Sequence, residues 1–337
     1  MPTTLKELAQ SCGLSVSTVS KALNGYSDVC PKTRQRVCEM AHAMGYQPNS
    51  LARGLKTGHS GNLGVLYSDN LSFGFTHSFF GPILQAFRRE AETHGYDLTF
   101  ITHRREMSYL RHCEYRNVDG VCLITAPASD PEIFELLASS IPAVTIDFVY
   151  NNRTCVQSDN RQGMEMLVRY ILKMGHSRVG FITGSSEPNA VASLRRSYFL
   201  NMMNTAGINI PEKYIVQGEF HDPTASRRAT EQLLGLSERP SCILMSDDYA
   251  ALGGLETIRS MGLRVPEDIS VVGFDGVNWI QRMRPRLATV KQDTERIGSE
   301  AAKQLINSIE NPRTAYPQIV TVPCELIEGE TIRNLNP

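Results

Sequence analysis

The stretch Ser15–Asn24, SVSTVSKALN, decides how the first part of the chain is read. Ser15 is a good N-cap, and after it Val19, Ala22 and Leu23 fall on one face of a helix while Val16, Ser17, Ser20 and Lys21 fall on the other. The outer face is small and polar. Solvated helices ordinarily carry long charged side chains there, whereas small hydroxyl and methyl groups let a helix sit deep against base edges in a DNA groove. Working outward, Thr4 followed by Glu7 forms a capping box that starts a helix at about Leu5. Leu5, Leu8, Ala9 and Cys12 make its apolar stripe, and Gly13 supplies the turn that tolerates positive φ. A third helix begins with Pro31, turns Val37, Met40, Ala41 and Met44 inward, and stops at Gly45.

Periodicity alone fits any small three-helix bundle equally well. Charge separates the two readings. Through Lys56 the basic residues are Lys6, Lys21, Lys32, Arg34, Arg36, Arg53 and Lys56 against Glu7, Asp28 and Glu39, a formal +4 in a chain whose net charge is −1. The positive charge is concentrated where phosphate contacts would be needed.

With 337 residues, 41% hydrophobic and 20% charged, the chain is long enough for two or three domains. Lys6 and Glu7 stand where a signal peptide would carry its apolar core. No apolar run approaches the roughly 20 residues of a membrane span, so a cytoplasmic protein without membrane contact is expected. The 8 cysteines contain no C-x-x-C pair, which fits reduced, mostly buried thiols; neither a metal centre nor a cofactor is expected. There is no G-x-S-x-G, no Walker loop and no dinucleotide fingerprint, and the adjacent Asp247–Asp248 point different ways at a strand end. An enzyme is therefore not expected.

Residues 49–58, NSLARGLKTG, connect this head to the rest. A helix shorter than about 12 residues is marginal in water, so alone the segment reads as a tether. From Gly61 the pattern changes: LGVLY, YDLTFI, DGVCLI, PAVTID, RVGFIT, CILMSD and ISVVGFD alternate with helical segments, the signature of parallel sheets with helices on both faces. The units are too many for one compact sheet. The run divides near Asp159–Asn160, and LATVKQ near 287–292 is expected to cross back. Two doubly wound subdomains would then face each other across a cleft lined by the carboxyl ends of their strands.

TLKELAQSCGLSVSTVSKALNG, KTRQRV and AHAMGYQPNSLARGLKTG resemble the N-terminal part of the LacI/GalR family of transcription regulators, and the resemblance runs the length of the chain. It implies an all-α helix-turn-helix head over 1–48, a hinge over 49–60, and a periplasmic-binding-protein-like α/β effector domain. The effector domain's first subdomain would span 61–161 and 290–322, its second 162–289 and 323–337. In the head, Val16 and Ser17 would read bases, Lys21 would read a base or phosphate, and Leu5, Ser15, Thr18 and Asn24 would complete the DNA-binding set. Leu55 would wedge between central base pairs of the minor groove, flanked by Ala52, Arg53 and Lys56; unstacking there costs a few kcal/mol, repaid by bent and wrapped DNA. Lys at position 21 replaces an Arg found in some members and lacks its bidentate fork to guanine.

In the cleft the resemblance implies effector contacts from Phe79, Phe80, Asp147, Arg195, Phe220, Asp247, Asp275 and Gln292. Aromatic faces would stack on a pyranose or base, Arg195 would clamp the ligand, and the carboxylates would accept from hydroxyls. Asp159–Asn160 and Gly175–His176 read as caps and packing rather than ligand contacts, and the unusually basic His103, Arg104 and Arg105 form a loop placed to meet the effector. The expected function is a homodimeric repressor on an approximately palindromic double-stranded operator, released by a small-molecule effector, with a sugar as the default. The alternatives are a corepressor-type regulator responding to a nucleobase or a partner protein, and a cytoplasmic sugar-binding protein.

Overall fold

The computed structural model describes residues 3–23, 26–46, 58–68, 74–103, 106–126, 129–184 and 190–336. Two compact units emerge, residues 1–61 and 62–337. Asn24, Ala52, Arg53, Leu55 and Lys56, together with Arg104 and Arg105, lie outside the described residues.

The first unit contains α1 (Leu5–Cys12), α2 (Val16–Leu23) and α3 (Pro31–Ala43). Both halves of the capping box form: the Thr4 hydroxyl accepts from the Glu7 N–H at 3.3 Å, and the Glu7 carboxylate accepts from the Thr4 N–H at 2.7 Å. Gly13 ends α1 at φ 62, in the left-handed region where a side chain would be strained. Leu8, Cys12, Val19 and Val37 reach zero exposure in the shared core, with Leu5, Leu23 and Met40 packed at its margin.

The second unit runs β1 (Asn62–Tyr67), α4 (Phe80–Thr93), β2 (Asp97–Ile101), α5 (Tyr109–Tyr115), β3 (Gly120–Thr125), α6 (Pro131–Ala138), β4 (Ala143–Ile146) and β5 (Thr154–Ser158). It continues with α7 (Asn160–Lys173), β6 (Val179–Thr183), α8 (Ala190–Thr205), β7 (Ile215–Gln217), α9 (Pro223–Leu234), β8 (Cys242–Leu244), α10 (Asp248–Ser260) and β9 (Ser270–Asp275). Last come β10 (Ala288–Gln292), α11 (Thr294–Glu310), β11 (Ile319–Val322) and β12 (Cys324–Ile327). One sheet has the order β11-β5-β4-β3-β1-β2 and the other β12-β10-β9-β8-β6-β7. Their pairings are parallel apart from β10 with β12. Near-continuous apolar strands such as β3 and β9, buried along their length, follow from helices covering both faces.

One expected boundary moves. LATVKQ does not cross to the first sheet: β10 pairs with β9 and with β12, so the return falls after Gln292, at the Asp293 cap of α11. The alternation of apolar and polar residues cannot say which sheet a strand joins, because both sheets offer the same parallel edge. Among the described residues no helix is long and apolar enough to cross a membrane.

Candidate DNA-reading helix and effector cleft

On α2 the Ser15 hydroxyl accepts from the Thr18 N–H at 3.1 Å, which caps the helix and leaves Val16 and Ser17 facing solvent. Val16 is 43% exposed although apolar. Lys21 pairs with Asp28 at 2.5 Å, so its ammonium is held at the surface rather than extended. Two of the head's arginines have structural work. Arg36 donates to the Cys12 carbonyl at the end of α1, and Arg34 donates to the Tyr26 carbonyl at 2.7 Å. Their charge remains on the surface, but their guanidiniums are tied to backbone.

Arg195 centres a buried polar cluster that meets the cleft at Asp275. It projects from α8, is 5% exposed, donates from Nε to Asn160 Oδ1 at 2.8 Å and from Nη1 to the Ser246 carbonyl at 3.1 Å, and lies 3.7 Å over the Phe274 ring. Asn160, expected to serve packing, thus fixes the direction of the guanidinium. Burial pulls Arg195 below its ordinary pKa, while Asp275 and Asp147 work against that shift. Burial also lifts Asp147 to about 6, opposed by Arg195. Asp275 rises well above the carboxylate range, through burial first and the neighbouring Asp247 second.

Asp147 and Asp275 follow β4 and end β9 at φ 56 and 114, backbone conformations that non-glycine residues seldom adopt and that cluster at functional sites. The Asp247 carboxylate caps α10, accepting from the Ala250 N–H at 2.9 Å and from the His221 N–H at 2.9 Å. Gln292 donates to Asp275 Oδ1 at 2.6 Å. Among the described residues, the buried side-chain oxygens without a hydrogen-bond partner include Asp147 Oδ1, Asp275 Oδ2 and Gln292 Oε1. Asp275 and Gln292, together with Phe79, line a cleft of about 360 Å³ beside the crossings at Asp293 and Pro323.

The aromatic wall differs from expectation in its membership. Phe79 is buried at the cap of α4, and the ring stacked on it is His221, with centroids 6.0 Å apart at 24°. Phe220 instead fills the space over Gly184, where a Cβ would come within 2.2 Å of its ring, and lies 5.6 Å from the Arg195 guanidinium. Phe80 meets His221 edge-on at 5.5 Å, and Tyr249 does so at 5.9 Å. His77 accepts at Nδ1 from the Phe79 N–H at 3.1 Å, so its Nε2 carries the proton. The Tyr249 hydroxyl accepts from the Ser78 N–H at 3.1 Å, joining the two lobes beside the cleft. Trp279 packs edge-on to Tyr249 at 5.4 Å.

His77, His221 and Tyr249 were not anticipated from sequence. Only the fold brings them together, although His221 directly follows an aromatic already singled out. Outside the cleft, His103 sits 3.3 Å from Glu132 of α6, and His176 is a buried bridge between Ser241 Oγ at 2.9 Å and the Arg333 carbonyl at 3.0 Å.

A DNA-reading head in the same chain as a two-lobed α/β domain with a polar, aromatic-walled cleft defines a ligand-responsive DNA-binding regulator. Residues 4–49 match the bacterial regulatory proteins of the lacI family, and residues 168–332 match the periplasmic binding protein-like domain. The HTH-type transcriptional repressor PurR of Escherichia coli O1:K1 / APEC is 31% identical over 337 residues, covering 98% of this chain and 96% of that protein. Among solved structures, the lac repressor dimer bound to operator and the anti-inducer ONPF superposes with a TM-score of 0.79 at 23% identity, covering 99% and 100% of the two chains. A putative LacI regulator from Bacillus cereus subsp. cytotoxis gives a TM-score of 0.74 at 26% identity, covering 82% and 99%. The chain belongs to the LacI/GalR family: it is a DNA-binding transcriptional repressor with a small-molecule effector, not an enzyme.

Proposed function

We propose that two copies of the chain bind an approximately palindromic operator through Val16, Ser17 and Lys21, and that a sugar held in the cleft releases them. The observation that carries the ligand class is the set of buried acceptors without donors: Asp147 Oδ1 and Gln292 Oε1 need hydrogen-bond donors, and a polyhydroxylated ligand supplies them. Phe79 adds an apolar patch to the lining of the cleft beside Gln292. The regulator CelR was solved as a cellobiose complex, with a TM-score of 0.72 at 24% identity, which supports the same ligand class. Ligand binding changes the relative population of cleft states, and operator affinity follows to the extent of the ligand's differential affinity. The hinge around Leu55 is the element both would bias.

A melting screen of the full-length chain against mono- and disaccharides, sugar phosphates, nucleosides and purine bases tests the ligand. A ligand at 100 times its dissociation constant adds about 2.7 kcal/mol. A stabilising sugar that also lowers operator affinity is the expected result; a purine that raises it would replace the inducer reading with a corepressor. Leu55→Ala tests the hinge: specific operator binding should weaken far more than non-specific binding, and equal loss on both would remove the wedge.

A further inference from the structure

We propose that His221, Asp247 and Asp275 form a divalent transition-metal site in the wall of the cleft. One nitrogen and two carboxylate oxygens from these residues all lie within 4.8 Å of one another. His221 Nδ1 is 3.8 Å from Asp247 Oδ1 and 3.8 Å from Asp275 Oδ2. Asp275 is 3% exposed and its Oδ2 has no hydrogen-bond partner, so a buried carboxylate oxygen faces the imidazole without being satisfied by it.

Supporting bonds orient all three side chains, and Asp247 Oδ1 would share its lone pairs between the ion and the Ala250 N–H that it accepts at 2.9 Å as the cap of α10. Gln292 occupies the other oxygen of Asp275 at 2.6 Å. The His221 N–H, donated to Asp247 Oδ2, sets the loop so that the ring stands over Asp247 Oδ1. Such supporting bonds orient metal ligands generally. The three come from the loop after β7, the cap of α10 and the end of β9, so one ion would tie three segments of the second sheet together.

Distance favours an ion over a simple ion pair. An imidazolium paired directly with either carboxylate would sit at about 2.7–2.9 Å, well inside the observed 3.8 Å. Metal bonds of about 2.0–2.2 Å in a tetrahedron space their ligands roughly 3.4 Å apart, which the two His221 edges reach by contracting a few tenths of an ångström while the carboxylates, within 4.8 Å of each other, close by up to about 1.4 Å. An imidazole beside carboxylates suits Zn²⁺, Ni²⁺ or Co²⁺ better than Mg²⁺ or Ca²⁺. His77 is not a ligand, because its Nδ1 is committed to the Phe79 and Phe80 amides.

The site can be tested on the full-length chain, stripped with chelator and free of DNA and sugar, by titrating Zn²⁺, Ni²⁺ and Mg²⁺ separately. Calorimetry gives the stoichiometry, and the single tryptophan, Trp279, reports through its contact with Tyr249. The expected result is one Zn²⁺ or Ni²⁺ per chain with a raised melting temperature, and no response to Mg²⁺ at the same concentration. His221→Asn removes a ligand and should weaken binding by more than the roughly 10- to 100-fold that loss of a supporting bond costs; Asn tolerates the φ of 57 at this position, and stabilisation by metal is read against the variant's own metal-free melting temperature. Asp275→Asn should show the same loss if the first variant folds poorly. Equal binding by wild type and both variants, substoichiometric binding, or an equal response to Mg²⁺ would overturn the site. The inference uses the cleft but not its ligand: a failed titration leaves the sugar reading intact, and a failed sugar screen leaves the metal reading intact.

Discussion

On α2, Val16 and Ser17 stand in solvent with side chains that need no partner, whereas in the cleft Arg195, Asp247 and Asp275 are 5%, 0% and 3% exposed and depend on their neighbours. The difference is one of coupling. A residue proposed to read DNA from an exposed helix can change without disturbing the fold, because its side chain stands in solvent. A residue that shapes the cleft carries part of the unit's electrostatic balance, so function and stability move together there.

The sharpest way to break that contrast is Arg195→Ala. Removing the cation from among buried carboxylates should cost about 3–5 kcal/mol near neutral pH and abolish the effector response, read by melting and by operator binding with ligand. The cost should shrink at pH 5, where Asp147, with its pKa of about 6, is mostly protonated and no longer needs a counter-charge. An unchanged melting temperature would show that the guanidinium is not part of the balance.

Val16→Glu is the opposite case. A base contact is worth about 1–3 kcal/mol, or roughly 5- to 150-fold, so specific operator affinity should fall by at least that much while thermal melting stays the same. Lost stability would mean that Val16 is packed.

A gentler probe is Asp248, which burial raises to about 8 although the Thr289 hydroxyl donates to it at 2.7 Å and the Val277 N–H at 2.8 Å. Its folded pKa lies above its unfolded value. The stability it contributes is therefore complete below about pH 4 and lost as pH rises toward 8. Asp248→Asn should flatten the fall in melting temperature across that window, and an identical pH profile would place the titration elsewhere. The smallest effect belongs to Thr4→Ala, which removes the cap of α1 at a cost of roughly 1 kcal/mol. Faster amide exchange confined to α1 would report it; exchange spread through all three helices would show that the head unfolds as one.

The same contrast explains how much could be read from sequence. The head was legible because its signals are local: Thr4 with Glu7, Gly13, Ser15 and Pro31 each mark a boundary within a few residues, and the 3.6-residue period places Leu8, Val19 and Val37 in the core. The parallel α/β class was legible from alternation. What escaped was whatever depends on distant pairing. His77 and His221 meet with ring centroids 4.6 Å apart across 144 positions of sequence, and no periodicity connects them. The sheet to which β10 belongs is decided by neighbours such as β12, which lies beyond the next helix. Arg36 looked like free positive charge and is spent on the carbonyl of Cys12.

The interleaving of the two sheets also has a consequence for how the protein is made. The first sheet has β5 in hand once the ribosome passes Ser158, yet its edge strand β11 ends only at Val322, and α11, whose Leu305, Ile306 and Ile309 join the same core, comes just before it. At about 5–20 residues per second that gap lasts roughly ten to thirty seconds. Throughout it the second sheet's strands emerge and fold while the first waits with an apolar face uncovered. The nascent chain is therefore most exposed to chaperones and to aggregation midway through its own synthesis, and a pause placed before α11 would lengthen that window.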